Sequence, residues 1–462
     1  MYNPLTFSPP SPSDIAQNDG GERREFIERL DINYTINRYI KILTWGFGLQ
    51  TNWVRFSKFY SGTQEEQDYR IGKYGVGTNI NFDVPLYGEI KFKGILGYEL
   101  YSDDTVYRSF DTQYRERLDI TGKRYTQFLT HALFFEGELT LHKLFCPTVG
   151  VRADMFSGEY NNKLFFLNTT TLPEKDQTIR PKDYSHVSPK VGFYSNIVDD
   201  FLRFRANVSN GYMLPPDTTV FNTYMHLAPT ELWQYEAGLT VMYKKYLWFD
   251  VAGYMIDSDN DVKEFPVGSG LYKNSGTTRR WGIENMVKIN PVKYIELDGT
   301  FTWMNSEVRK TTWFGTNPAT SYIDVGSILT RGASVANIPE FQAGARINWS
   351  SPVGLGGGFG WTYVGPQYTD SYGTSSWSRM LILNYLNNAY SLGLNDADTK
   401  YKGYNLFDVC LTYTVIINNF PMVFRLDVKN IFNQRWAGYA GNYGIWAAGM
   451  PRSFYGSVAV KW

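Results

Sequence analysis

Catalytic or metal chemistry needs particular side chains at particular spacings, and this chain supplies few of them. Its four histidines, His131, His142, His186 and His226, are scattered singly. None has the HExxH spacing that brings two imidazoles to one metal. Cys146 and Cys410 are its two cysteines, too few for a disulfide framework or a cysteine-based metal centre. The run Gly354-Leu355-Gly356-Gly357-Gly358 lacks the Lys-Ser/Thr of a phosphate-cradling loop and follows a tight turn, so it reads as the bent start of a strand. Asp257-Ser258-Asp259-Asn260-Asp261 has the acids of a calcium loop without its glycine or distal glutamate, which leaves a solvated loop tip. No enzyme site, no metal and no cofactor is expected. Aromatic side chains are what the chain has in abundance: 35 Tyr, 30 Phe and 13 Trp.

Those aromatics must be carried by strands. Of the 462 residues, 17% are aromatic and only 19% charged, against the usual quarter charged. Mean hydropathy is −0.34, and no run of about 18 apolar residues exists to form a membrane-spanning helix. Lys+Arg equals Asp+Glu at 45 each, which argues against a general nucleic-acid binder. The side-chain period is 2. Leu202, Phe204, Ala206 and Val208 alternate with Arg203, Arg205 and Asn207; Ile295, Leu297, Phe301 and Trp303 with Glu296, Asp298 and Thr300; Phe424, Leu426 and Val428 with Arg425, Asp427 and Lys429. A soluble sandwich shows the same alternation, so connections must decide.

Short turns are expected near 37–41, 83–86, 142–144, 198–200, 244–245, 290–293, 350–353 and 418–421. Long polar segments are expected near 53–68, 101–124, 158–183, 213–230, 257–271, 306–336, 369–400 and 433–449. Strict alternation of short and long connections is the habit of an outer-membrane β-barrel, with tight turns on the periplasmic rim and long loops outside. The fold class is therefore all-β, a transmembrane antiparallel barrel of about 17 strands, each long enough to cross when tilted. The barrel occupies 27–462, and 1–26, rich in Pro and Ser and without the basic and apolar regions of a secretory signal, is a loop or disordered segment. Counting strands backward places the start of the first strand outside, which is consistent with a truncated chain.

The C-terminal half resembles the TonB-dependent receptor family. Val428-Lys429-Asn430-Ile431-Phe432-Asn433 with Arg435-Trp436, and Gly449-Met450-Pro451-Arg452-Ser453-Phe454, are similar to its last two motifs. Ser209-Asn210-Gly211-Tyr212 with Pro215, Leu227-Ala228-Pro229 through Glu231, Tyr235-Glu236 and Gly238-Leu239, and Asn274, Gly276, Gly282 and Glu284 are similar to earlier ones in the same order. Together they cover about 205–462; the rest matches by pattern alone.

The resemblance implies a barrel of 22 strands around an N-terminal plug that contacts TonB, of which the plug and about five strands are absent here. It implies a receptor for an iron–siderophore complex. Haem, cobalamin or an oligosaccharide are the alternatives within the family, a passive porin the alternative outside it, and a secreted carbohydrate-binding protein a third. Ligand contacts are expected from extracellular aromatics: Tyr212, Phe221, Tyr224 and His226, then Trp313 with Phe314, then Tyr368 and Tyr372, then Trp436 and Tyr439. His226 is also a candidate haem-iron ligand, although Tyr212-Met213-Leu214-Pro215 replaces the usual haem-type signature. Arg203, Arg205, Glu296, Asp298, Arg425, Asp427 and Lys429 are expected to form a wet, mutually neutralising lumen wall. Phe454, Val458, Val460 and the terminal Trp462 form the strand that the barrel-assembly machinery is expected to read. Outer-membrane lipid is the implied partner of the other face, and TonB is a partner only through a plug.

Overall fold

The structure, a computed structural model, describes residues 20–58, 64–142, 144–164, 175–179, 183–214, 227–264, 272–274, 276–311, 332, 334–335, 337–368, 400–417, 420–440 and 446–460. In chain order the strands are β1 (Gly20–Asn37), β2 (Ile40–Lys58), β3 (Gln64–Tyr87), β4 (Ile90–Gln113), β5 (Glu116–Thr140) and β6 (Cys146–Leu164). The short β7 (Lys175–Ile179) precedes β8 (Tyr184–Val198), β9 (Leu202–Met213), β10 (Thr230–Tyr243) and β11 (Leu247–Asp259). A small hairpin of β12 (Val262–Glu264) and β13 (Tyr272–Asn274) leads to β14 (Gly276–Val292), β15 (Ile295–Thr311), β16 (Phe341–Ser350) and β17 (Leu355–Val364). A second hairpin, β18 (Gln367–Tyr368) and β19 (Lys400–Tyr401), precedes β20 (Tyr404–Ile417) and β21 (Phe420–Lys429). A third, β22 (Ala437–Ala440) and β23 (Trp446–Ala448), precedes β24 (Ser453–Val460). Among the described residues there is no helix, and none is long and apolar enough to cross a membrane.

Among the described residues, eighteen strands share one antiparallel sheet. Setting aside the five-residue β7, which pairs with the upper end of β6, leaves seventeen long ones, the number that the alternation of turns and loops requires. Each except β1 and β24 pairs with the long strand before and after it in sequence, an up-and-down wall with local connections. Because antiparallel partners share a face, the ladders extend each strand's alternation across the sheet. Tyr413, Phe424 and Val458 line up on one face, and Thr412, Arg425 and Ser457 on the other. Val76, Tyr98, Leu133, Val151, Val191, Leu239, Ile283 and Phe359 are all exposed on the apolar face. An apolar face this broad is incompatible with water and is what a lipid-facing wall requires.

The end with the tight turns is termed the lower end. β1 descends to it from Gly20, and β24 descends to it from Ser453, since Met422 near the bottom of β21 pairs with Val460. Among the described residues β1 has a ladder only to β2, and β24 only to β21.

The structure corrects three boundaries. The first strand starts at Gly20, not at 27, and Gly20 to Phe26 pairs with Phe56 to Gln50. This stretch carries charge on both faces (Arg24 bonded to Glu22, Arg23 to Glu25), which hides a strand lying above the lipid. The long segments expected near 53–68 and 101–124 are mostly strand: β4 and β5 are joined by Tyr114 and Arg115 alone, both with positive φ. At about 3.3 Å per residue, strands of 24–25 residues reach roughly 80 Å before tilting and stand far above a 30 Å hydrocarbon layer. The turn expected near 83–86 lies at Gly88-Glu89, because β3 continues to Tyr87. Gly354 does open a bent strand: its φ is +84°, and a Cβ there would sit 2.1 Å from the Thr414 carbonyl oxygen.

Candidate functional site

The polar face is where this wall can meet a ligand, and its chemistry is mostly ion pairing. Arg205 on β9 makes two bonds to Asp250 on β11, at 2.7 and 2.9 Å, and further bonds to Glu236 at 3.3 Å and Thr240 at 3.2 Å. Arg425 forks onto Asp427 at 2.6 and 2.7 Å, and Lys429 reaches Asp408 at 3.1 Å. Arg203 donates to Asn196 at 2.9 Å with its guanidinium over the Tyr194 ring. Asn348 donates to Glu296 at 3.3 Å and, at the long distance of 3.5 Å, to Asp298. These side chains share one face because their positions keep the same parity through the cross-strand register. Pairing makes the surface nearly neutral and wettable, and each exposed pair adds little to stability.

A second cluster forms where sequence reasoning found only Tyr212. Arg152 on β6 binds Glu99 at 2.8 Å and Asp154 at 3.0 Å, with Asp154 almost fully buried. His186, in direct register with Asp154, lies 2.7 Å from Asn210, and its ring packs at a tilt 4.6 Å from the Tyr212 ring. The signal for such pairs is legible in hindsight: Arg-x-Asp or Arg-x-Glu recurs at 23/25, 29/31, 152/154 and 425/427, a spacing that puts both groups on one strand face.

Aromatics reinforce the tall part of the wall. Trp53, Tyr69 and Tyr107 are direct cross-strand partners, with ring centroids 5.0 and 4.7 Å apart and Arg124 over the last ring. Tyr107 is 8% exposed; burial, with Glu65 next in importance, pushes its hydroxyl up to about 12. This ladder stiffens the hairpins; it is not an open stacking surface. Lower down, the rings of Trp45 and Phe47 lie against Gly77 and Gly75, whose added Cβ atoms would come within 2.6 and 2.4 Å of them.

The family-like motifs build clasps at the upper rim. Asn274 accepts from the Ala228 amide at 2.8 Å, and donates to the Ala228 carbonyl at 2.9 Å and the Asn260 carbonyl at 2.8 Å. Tyr184 donates to Leu227 at 2.5 Å. Asn430, with φ +50°, exchanges bonds of 2.8 Å with Gln434 and donates to Met450 at 3.2 Å. Trp436 donates to Met450 at 3.1 Å, lies 4.9 Å from the Tyr404 ring, and covers Gly449 closely. Asp257 pairs with Arg279, Asp259 accepts from Thr277, and Asp261 accepts from Ser258 and Thr278, so the calcium-like acids are bonded to neighbouring side chains while Asp259 and Asn260 stay exposed to solvent.

Of the other expected ligand residues, Tyr368 lies half-buried in β18, and its carbonyl accepts from the Asn337 amide at 2.7 Å. Tyr439 pairs with Ala447 through its backbone. Phe221, Tyr224, His226, Trp313, Phe314, Tyr372 and the terminal Trp462 lie outside the described residues. Phe454, Val458 and Val460 are exposed on the apolar face of β24. Among the described residues no three His, Cys, Asp or Glu side chains converge on a metal position.

Comparison with known proteins agrees with this geometry. The profile described as TonB dependent receptor-like, beta-barrel, matches residues 2–431. Curated protein sequences yield no match. Among solved structures, the siderophore receptor PiuA from Acinetobacter baumannii aligns with a TM-score of 0.74 at 14% identity, covering 96% of this chain and 65% of its own. The ferric citrate transporter FecA in its unliganded form gives 0.73 at 14%, covering 96% and 62%, and the copper transporter OprC 0.67 at 13%, covering 94% and 65%. This chain thus spans less than two thirds of their length, and at such identities the likeness is one of fold. The chain belongs to the TonB-dependent receptor-like β-barrel family, a family of outer-membrane receptor barrels and not of enzymes.

Proposed function

We propose that this chain is the barrel portion of an outer-membrane receptor for TonB-dependent uptake of an iron–siderophore complex. The observation that carries the reading is the wall: seventeen antiparallel strands with one apolar and one ion-paired face, within a family match over residues 2–431. The apolar face meets lipid, the paired face lines a wet lumen, and the tall hairpins of β3 to β5 stand outside the cell. The names of PiuA and FecA support an iron chelate as the ligand. Barrel-assembly machinery reads β24, and TonB acts through a plug carried by a longer receptor.

The strand directions support that longer receptor. β1 and β24 both descend, so they cannot pair antiparallel with each other. Antiparallel closure takes an odd number of further strands, and five would give the family's 22. The test is titration of the full chain in detergent with a panel of ferric siderophores, haem, cobalamin and a maltooligosaccharide, read by tryptophan fluorescence. Saturable binding of a ferric siderophore is expected. Binding confined to one of the other compounds overturns the ligand assignment.

A further inference from the structure

The lysines of the lower turns are gathered in one place. Most of that rim is edged by exposed apolar side chains, among them Tyr87, Leu144, Ile197 and Val353, so it stands at the boundary of the apolar band. Among the described residues of the lower turns the lysines are Lys244, Lys245 and Lys293. The first two lie between β10 and β11, the third between β14 and β15. β11 pairs with β14, so the two turns are two strand spacings apart, roughly 10 Å. Asn290 ties them together: its side-chain amide donates to the Lys245 carbonyl at 3.0 Å and its backbone amide to the Tyr246 carbonyl at 2.8 Å.

Each of the three ammonium groups lies over a neighbouring tyrosine ring, Lys244 at 5.6 Å from Tyr243, Lys245 at 5.7 Å from Tyr246 and Lys293 at 5.3 Å from Tyr294. None makes an ion pair within 4.0 Å among the described residues, in contrast to Lys73, Lys190 and Lys429. Asp199 and Asp200 occupy the adjoining turn between β8 and β9 and form no such pair with them. A ring steadies an ammonium without using its three N–H donors. Tyr243 is 49% exposed on the apolar face, with the Tyr246 ring 6.4 Å away. Such rings settle at the level of lipid headgroups, and lysine stems reach the same level. The patch thus continues the lipid-facing wall and holds unused cationic donors at its edge. The whole chain carries no net charge, so attraction of an anion here is a property of the patch.

We propose that the β10–β11 and β14–β15 turns form a binding patch for the headgroup of an anionic phospholipid in the periplasmic leaflet. The lysines donate to the phosphate oxygens, and the tyrosines set the depth. A zwitterionic lipid offers the same phosphate with a cation of its own, which the lysines repel. The proposal rests on the apolar face being lipid-facing and is independent of the ligand taken up.

Trp349 is a reporter beside the patch: it is 41% exposed on the apolar face, and its partner Ile295 lies two positions from Lys293. The full chain is reconstituted in phosphatidylcholine vesicles that contain a minor fraction of dibrominated phosphatidylglycerol or dibrominated phosphatidylcholine, whose bromines quench tryptophan on contact. Trp349→Phe identifies the local part of the signal. Quenching of that part should show a preference of about threefold to tenfold for phosphatidylglycerol. Replacing all three lysines, by Lys244→Gln, Lys245→Gln and Lys293→Gln together, should bring the ratio near one. Lys123→Gln, in the tall part of β5, should leave it unchanged. Heat-modifiable gel mobility shows that each variant folds; if the triple variant does not, Lys245→Gln with Lys293→Gln should still remove about half of the preference or more. Equal quenching by the two brominated lipids, or a preference that survives in a folded lysine variant, overturns the proposal. Absence of quenching by either lipid overturns the lipid-facing reading and the proposal with it.

Discussion

Adjacent residues on one strand should respond oppositely to the same charge. Thr300 and Phe301 are neighbours on β15; Thr300 lies on the polar face opposite Gly344, and Phe301 is 40% exposed on the apolar face, its ring 6.3 Å from Phe341. Phe301 lies six positions above Ile295 at the lower turn. With a rise of about 3.3 Å and a tilt near 40°, that is roughly 15 Å, close to the middle of an apolar band about 25 Å tall. Phe301→Lys should then cost about 2–4 kcal/mol for the charge at mid-depth, plus about 0.5–1.5 kcal/mol for the lost ring pair. Thr300→Lys gains Asp298 two positions away on the same face and should change stability by less than about 1 kcal/mol. Equilibrium urea unfolding in lipid vesicles, followed by tryptophan fluorescence, separates them by at least about tenfold in the folding constant. If Thr300→Lys costs as much as Phe301→Lys, the assignment of the two faces is wrong.

Other expectations follow from named contacts. Arg205→Ala and Asp250→Asn should be coupled by about 1 kcal/mol in a double-mutant cycle, since their bidentate contact is partly screened by lumen water. Asn274→Ala removes three bonds to Ala228 and Asn260, and hydrogen exchange at Ala228 should accelerate, while Asn274→Asp retains only the accepting bond and should recover a minor part of the protection. Gly449→Ala places a Cβ 2.1 Å from the Trp436 ring and should destabilise by about 1–3 kcal/mol, measurable as a lower urea midpoint. Above the apolar band, the hydrogen bonds from Arg279 hold the Asp257 carboxyl below its ordinary range. A depressed folded pKa contributes stability above the unfolded value and loses it as pH falls, so the parent chain should weaken below about pH 4, and Asp257→Asn should show less of that acid dependence.

The contacts of the rim side chains were the least legible part of the sequence. Aromatic content flagged Trp436, but its indole is committed to Met450, Tyr404 and Gly449, a packing role that spacing does not reveal. Tyr212 was visible as part of a motif, whereas its neighbour His186 was not, because the two lie on different strands and meet only through the pairing of β8 with β9. Arg346 looked like any other alternating charge; that it lies along a glycine, Gly360, depends on the register of β16 with β17.

The sequence by itself determined that this is a sheet with one greasy and one wet face, that its connections alternate in length, and that about seventeen strands cross. Each of those is a local property, written by a period of two and by turn residues within a dozen positions. Tertiary structure alone decided which acid meets which base and how high β3 to β5 rise. Those depend on register between residues some ten to fifty positions apart, such as Arg205 with Asp250 or Asp298 with Arg346. A shift of one residue would exchange the faces without altering the pattern along any single strand.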